Sequence, residues 1–231
     1  MKKLFLILIS GLVLSVGSID AGNVESEAFG TLSSGEKVTL WRLHNASGAM
    51  LELIDYGSRI VKICMPDRNG IIDDVVVGYG SLESFEKGER YFGPVIGRYG
   101  NRIDHASFEL DGVRYDLVAN EKLGGEPVLC HGGVMGFDKF VWSGEPLKDE
   151  GRVGVRFYRL SPDGEQGFPG NLHVYVTYWL TEDNVVKIEY EAITDKPTVV
   201  NLSNHTYFNL RGSAPSNVME HILQVEADTC V

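Results

Sequence analysis

The sequence predicts an all-β domain, a sandwich or a barrel, and three observations carry that reading. Short runs rich in β-branched and aromatic residues follow one another, broken by Gly, Asp and Asn turns. Asp111-Gly112 lies between two such runs, 108–110 and 113–115. That is the two-residue hairpin signal, because both turn positions must accept a positive φ. No stretch holds a long 3.6-residue apolar period, and the one weak helix candidate is 81–87. With 231 residues and 43% hydrophobic content, one large domain with a real core is the economical organisation.

The elements follow in order. Residues 1–21 read as an export signal. Lys2-Lys3 is a basic start, 4–16 is an apolar run, and Ser18 and Ala21 are small residues ahead of a cleavage point. The apolar run is short for a membrane span. The mature domain, 22–231, is therefore expected to be exported to a periplasm or the outside, with no membrane attachment. Residues 22–35 read as a polar lead-in. Strands are expected at 38–43, 49–56, 60–65 and 75–79, broken by Asn45-Ala46-Ser47-Gly48, by Tyr56-Gly57-Ser58 and by the strong turn Pro66-Asp67-Arg68-Asn69-Gly70. After the hairpin come 153–160, 172–180, 185–194, 199–210 and 222–227. The 185–191 run alternates apolar and charged residues, so one face is wet.

Composition narrows the function. A formal charge of −11 disfavours nucleic acid and anionic membranes, which want basic patches. A small neutral or cationic ligand is the easier partner. Cys64, Cys130 and Cys230 are an odd, sparse set without CxxC spacing; one disulfide and buried free thiols are equally open readings. No Ser/His/Asp order or nucleophile elbow points to acyl transfer. No Gly-rich fingerprint opens a helix after a strand. No His/Cys ligand spacing asks for a metal, so no cofactor is expected.

Three polar clusters stand out from the β background. In 97–103, GRYGNRI, Asn101 and Arg102 carry donors suited to hydroxyl and ring oxygens; a structural salt bridge is the rival role for Arg102. In 128–138, His131 sits beside two glycines, at a pocket lip or stacked in a loop. The run 201–210, NLSNHTYFNL, reads as an unusually polar strand. Alternation puts Asn201, Ser203, His205 and Tyr207 on one face, and Leu202, Asn204, Thr206 and Phe208 on the other. Buried polar groups need partners, so this strand belongs to a hydrogen-bonded core network or to a wet cleft. A histidine there can move a proton near neutral pH.

Together, GRYGNRI (97–103), LCHGGVMGFDKFVW (129–142) and NLSNHTYFNL (201–210) resemble the aldose 1-epimerase, or galactose mutarotase, family. The likeness extends over 36–231. It implies a large antiparallel β-sandwich and a cofactor-free isomerase that exchanges the α and β anomers of aldohexoses such as glucose and galactose. It implies that Asn101 and Arg102 hold sugar hydroxyls and that His131 binds near the ring oxygen. His205 would be the general acid at that oxygen, and Tyr207 would line the pocket. The family's catalytic glutamate and a sugar-binding aspartate have no match here. The expectation is therefore a sandwich lacking its C-terminal strands, with unpaired edges and weak or absent catalysis. The alternative is a sugar-binding β-sandwich without chemistry. Asn45, Asn201 and Asn204 begin glycosylation sequons, and glycans on the last two would obstruct this site.

Overall fold

The computed structural model describes residues 22–88, 90–213 and 217–229. The expected export signal, 1–21, and Cys230 lie outside the described residues. The chain is almost wholly strand and turn, and every strand pairing within its sheets is antiparallel. One sheet runs Asn23–Thr31, Lys37–His44, Met50–Ile54, Arg59–Pro66, Ile72–Asp74, each strand beside its neighbour in sequence. A second runs Ser143–Asp149, Arg152–Ser161, Leu172–Thr181, Val186–Thr194 in the same way. The inner faces meet in one buried cluster. Leu43, Leu51 and Ile63 come from the first sheet, and Val155, Phe157, Val174 and Val176 from the second. Each such side chain contributes about 1.5–3 kcal/mol when removed from water.

Two smaller layers flank this core. Helix Leu82–Lys87 starts where predicted: the Ser81 hydroxyl accepts the Ser84 N–H at the N-cap. Its Leu82 and Phe85 cover Val38, Leu40 and Val61 on the outer face of the first sheet. A three-stranded sheet orders Glu121–Leu123, Glu126–Cys130 and Arg102–Asp104. The hairpin Ser107–Leu110/Val113–Asp116 turns through Asp111 and Gly112, at φ 52° and 76°, as its sequence requires.

Several expectations are corrected. The lead-in is a strand, Asn23–Thr31, paired along Lys37–His44; an edge strand is held by backbone bonds, so its exposed polar side chains conceal it. Ser143–Asp149 was not anticipated for the same reason. Residues 222–227 form no strand, and Ile222 and Leu223 are 97% and 87% exposed. The 75–79 run shortens to Val76–Val77.

The largest correction is at 201–210, which is not one strand. Ser203–Asn204 pairs with Val95–Ile96, and Tyr207–Phe208 pairs with Val76–Val77. Between them the Asn204 side chain accepts the Thr206 N–H at 3.1 Å, bending the chain as it changes partners. The two-face alternation survives in part. Asn204, Thr206, Phe208 and Leu210 line an apolar crevice against Ile60, Ile63 and Val186, but Asn204 and Thr206 also reach the polar side.

Candidate active site

A cleft of about 620 Å³ opens between the 100–102 loop, His131 and the 201–207 segment. All five candidates, Asn101, Arg102, His131, His205 and Tyr207, line it. Arg102 and His131 arrive from adjacent strands, because Arg102 pairs with Cys130 in the three-stranded sheet. Asn101 and His131 are then clasped through two bonds. The His131 N–H donates to the Asn101 carbonyl at 2.9 Å, and the Asn101 N–H donates to His131 Nδ1 at 3.0 Å. Both residues take left-handed backbone, φ 63° and 52°. Next to them Gly132 must be glycine, since a Cβ would lie 1.7 Å from the Gly97 carbonyl oxygen.

The facing wall is fixed by main-chain bonds. The His205 N–H donates to the Pro94 carbonyl at 2.9 Å, and the His205 carbonyl accepts the Gly93 N–H at 3.1 Å. Asn201 and Gly100 bond reciprocally, with the Gly100 N–H on the Asn201 carbonyl at 2.7 Å and Asn201 Nδ2 on the Gly100 carbonyl at 2.9 Å. The two loops are thereby zipped, which brings distant histidines together. The His131 and His205 rings are 5.0 Å apart, edge to face.

Tyr91 was not singled out in the sequence. Its ring packs 4.7 Å from His131 and 5.6 Å from His205, touching both. The available signal was the aromatic pair Tyr91-Phe92 directly before Gly93-Pro94. Tyr207 lies 5.1 Å from His205 and 5.3 Å from Phe92, so it is the outer ring of the same stack.

The hydrogen bonds assign chemical states. Because Nδ1 of His131 accepts, its neutral ring carries the proton on Nε2. Burial, then the nearby His205 and Arg102, push the His131 pKa below its ordinary value. A second proton on Nδ1 would also confront the Asn101 N–H. His131 is thus a neutral donor at pH 7. Burial pushes the Tyr91 phenol up to about 12, so it stays protonated. Arg102 combines both of its sequence-level roles: it lines the cleft and bonds Glu121 at 2.7 Å. Among the described lining residues there is no carboxylate. No cluster of three or more His, Cys, Asp or Glu suited to a metal ion occurs among the described residues. Cys64 and Cys130 are free thiols. Asn45, 6% exposed, gives its side-chain amide to the Thr181 carbonyl and to Asn184. Asn204 gives its amide to the Gly93 carbonyl and the Tyr178 hydroxyl.

Comparison with known proteins places the chain in a family. The family model described as "Aldose 1-epimerase" matches residues 39–231. Galactose mutarotase of Homo sapiens is 41% identical over 208 residues, 90% of this chain and 58% of that protein. Aldose 1-epimerase of Haemophilus influenzae is 41% identical over 195 residues, 84% of this chain and 54% of that protein. The crystal structure of galactose 1-epimerase from Lactobacillus acidophilus superposes with a TM-score of 0.72 at 26% identity, covering 81% of this chain and 53% of that one. The chain spans a little over half the length of the relatives it matches. The chain belongs to the aldose 1-epimerase family.

Proposed function

We propose that the cleft binds aldohexoses such as glucose and galactose and exchanges their α and β anomers. The observation that carries this is the pairing of two histidines, 5.0 Å apart, in a polar cleft edged by Asn101 and Arg102. Ring opening needs an acid at the ring oxygen and a base at the anomeric hydroxyl, each worth roughly 10²–10⁴-fold. His205 gives its proton to the ring oxygen. Neutral His131 donates from Nε2 and holds the same side of the sugar. Asn101 and Arg102 donate to ring hydroxyls, and Tyr207 closes the side of the site. Rotation about the C1–C2 bond of the open aldehyde and closure onto its other face gives the second anomer. The anomeric proton leaves to a base, which in the family is a glutamate; no carboxylate stands among the described residues that line the cleft.

A second reading has its own support. With no carboxylate among the described lining residues, the chain binds aldoses without catalysing their exchange. Polarimetry of fresh α-D-glucose and α-D-galactose, with calorimetric binding in parallel, separates the two. A blank-subtracted rate that vanishes in His205→Ala supports catalysis. Binding without rate supports the second reading, and neither binding nor rate removes both. Residues 1–21 are proposed to direct export, which N-terminal sequencing of the exported protein would check.

A further inference from the structure

We propose that Glu121 sets the substrate class of this cleft, admitting neutral aldoses over phosphorylated or acidic ones, by occupying the guanidinium of Arg102. The inference rests on the aldose reading above. Arg102 is the one lysine or arginine among the described residues lining the cleft. A guanidinium fork at a cleft wall is the natural receiver of a phosphate or carboxylate. Here that fork is already taken. Nη2 donates to Glu121 Oε1 at 2.7 Å, and Nη1 donates to Asn101 Oδ1 at 3.2 Å.

The backbone holds this pair together. Glu121 sits on Glu121–Leu123 and Arg102 on Arg102–Asp104, the two outer strands of the three-stranded sheet. Cys130, on the strand between them, pairs directly with Arg102. The ion pair therefore bridges the middle strand, over the buried Cys130. Glu121 stands on a fixed base, its backbone paired with Val128, so its carboxylate is held beside Arg102 when a ligand arrives. Its charge cancels that of Arg102, while neutral His131 adds none. Remaining guanidinium N–H groups still serve a sugar hydroxyl. A phosphate or carboxylate, by contrast, must displace Glu121 or lie beside it.

Ligand-observed NMR titrations of the intact chain with D-glucose, D-glucose 6-phosphate and D-glucuronate test this. In the native chain glucose binds more tightly than either anion. In Glu121→Gln, and in Glu121→Ala as a second variant, the ratio of the Kd for glucose 6-phosphate to that for glucose falls about tenfold, the size expected for removing one charge near a dianion. Most of that gain disappears in 0.5 M salt. In an Arg102→Gln background, removing Glu121 moves the ratio far less. An unchanged ratio in both Glu121 variants overturns the proposal. So does an undiminished shift without Arg102, which would mean a diffuse field instead of a held guanidinium. Native chain that binds glucose 6-phosphate as well as glucose overturns it too. Native chain that binds no aldose at all removes the underlying function, and the inference with it.

Discussion

Arg98 is 1% exposed, while Arg102, four residues on at the start of its strand, lies along the open cleft with over a third of its side chain in water. The two differ in what satisfies them. Arg98 donates to the carbonyls of Ser161, Pro162, Pro169 and Gly170 at 2.8–2.9 Å, and to the Ser161 hydroxyl. No carboxylate is among these partners; fixed carbonyl dipoles do the work, and burial lowers the Arg98 pKa. Arg98 thereby ties the cleft-forming loop to the 161–170 turn. Arg102 has one carboxylate, a neighbouring carboxamide and solvent. A charge buried without an ionic partner is a structural joint here. A charge left half in water is available to a ligand.

The sharpest way to break this contrast is Arg98→Met. It strands four carbonyls without donors, so a loss of about 3–5 kcal/mol, or no folded protein, is expected. Arg98→Lys should recover only part, because an ammonium has fewer donors. Urea unfolding reads both, and a loss under ~1 kcal/mol for Met would dissolve the distinction.

Asp55 extends the comparison to a carboxylate. It is 6% exposed and accepts the Thr39 N–H at 3.0 Å. Burial pushes it up from 3.8 to about 6. A raised carboxyl pKa means that the folded state holds the proton more tightly. Its stability contribution is present near pH 4 and is lost as pH rises through about 6. Asn cannot ionise, so the stability of Asp55→Asn relative to native should rise by about 2 kcal/mol between pH 4 and 7. Parallel pH profiles would sink this.

Smaller effects belong to the cleft. Arg102→Gln should change stability by less than ~1 kcal/mol, since exposed pairs contribute little. It should nevertheless weaken aldose binding about tenfold in a calorimetric titration, the loss of one charge-assisted bond. Equal losses in stability and affinity would erase the difference from Arg98. Smallest is the pH effect through His131. Its lowered pKa keeps the ring neutral, so aldose affinity should vary by less than about twofold from pH 8 to 6.5 and decline only below that, once the ring protonates. A midpoint above 6.5 would contradict the clasp with Asn101.

Much of the sandwich was legible because burial writes itself as periodicity. The run 172–180 became Leu172–Thr181, and 153–160 became Arg152–Ser161. The Asp111-Gly112 turn was equally clear, being fixed by two residues. Asn23–Thr31 was not, because its pairing is made by backbone atoms that every sequence shares. The five candidate residues were legible as polar intrusions in apolar surroundings, and they converge in one cleft. What stayed hidden was long-range. Nothing local in 201–210 says that its halves pair with Val95–Ile96 and Val76–Val77. Likewise nothing beside Tyr91 announces that two histidines, 40 and 114 positions on, will close around its ring.

The clasp between Asn101 and His131 has a consequence for anyone who would redesign the cleft. It is made by the main-chain N–H and carbonyl of residue 101, so the proton position on His131 is read by the polypeptide itself. The carboxamide at 101 is then a separate variable, free to be exchanged without resetting the histidine. The φ of 63° limits the menu, since glycine, asparagine, aspartate and histidine are the residues that adopt that backbone most readily. A mutagenic library at this position therefore reduces to a handful of residues. It would tune sugar preference while leaving the neighbouring proton donor as it is.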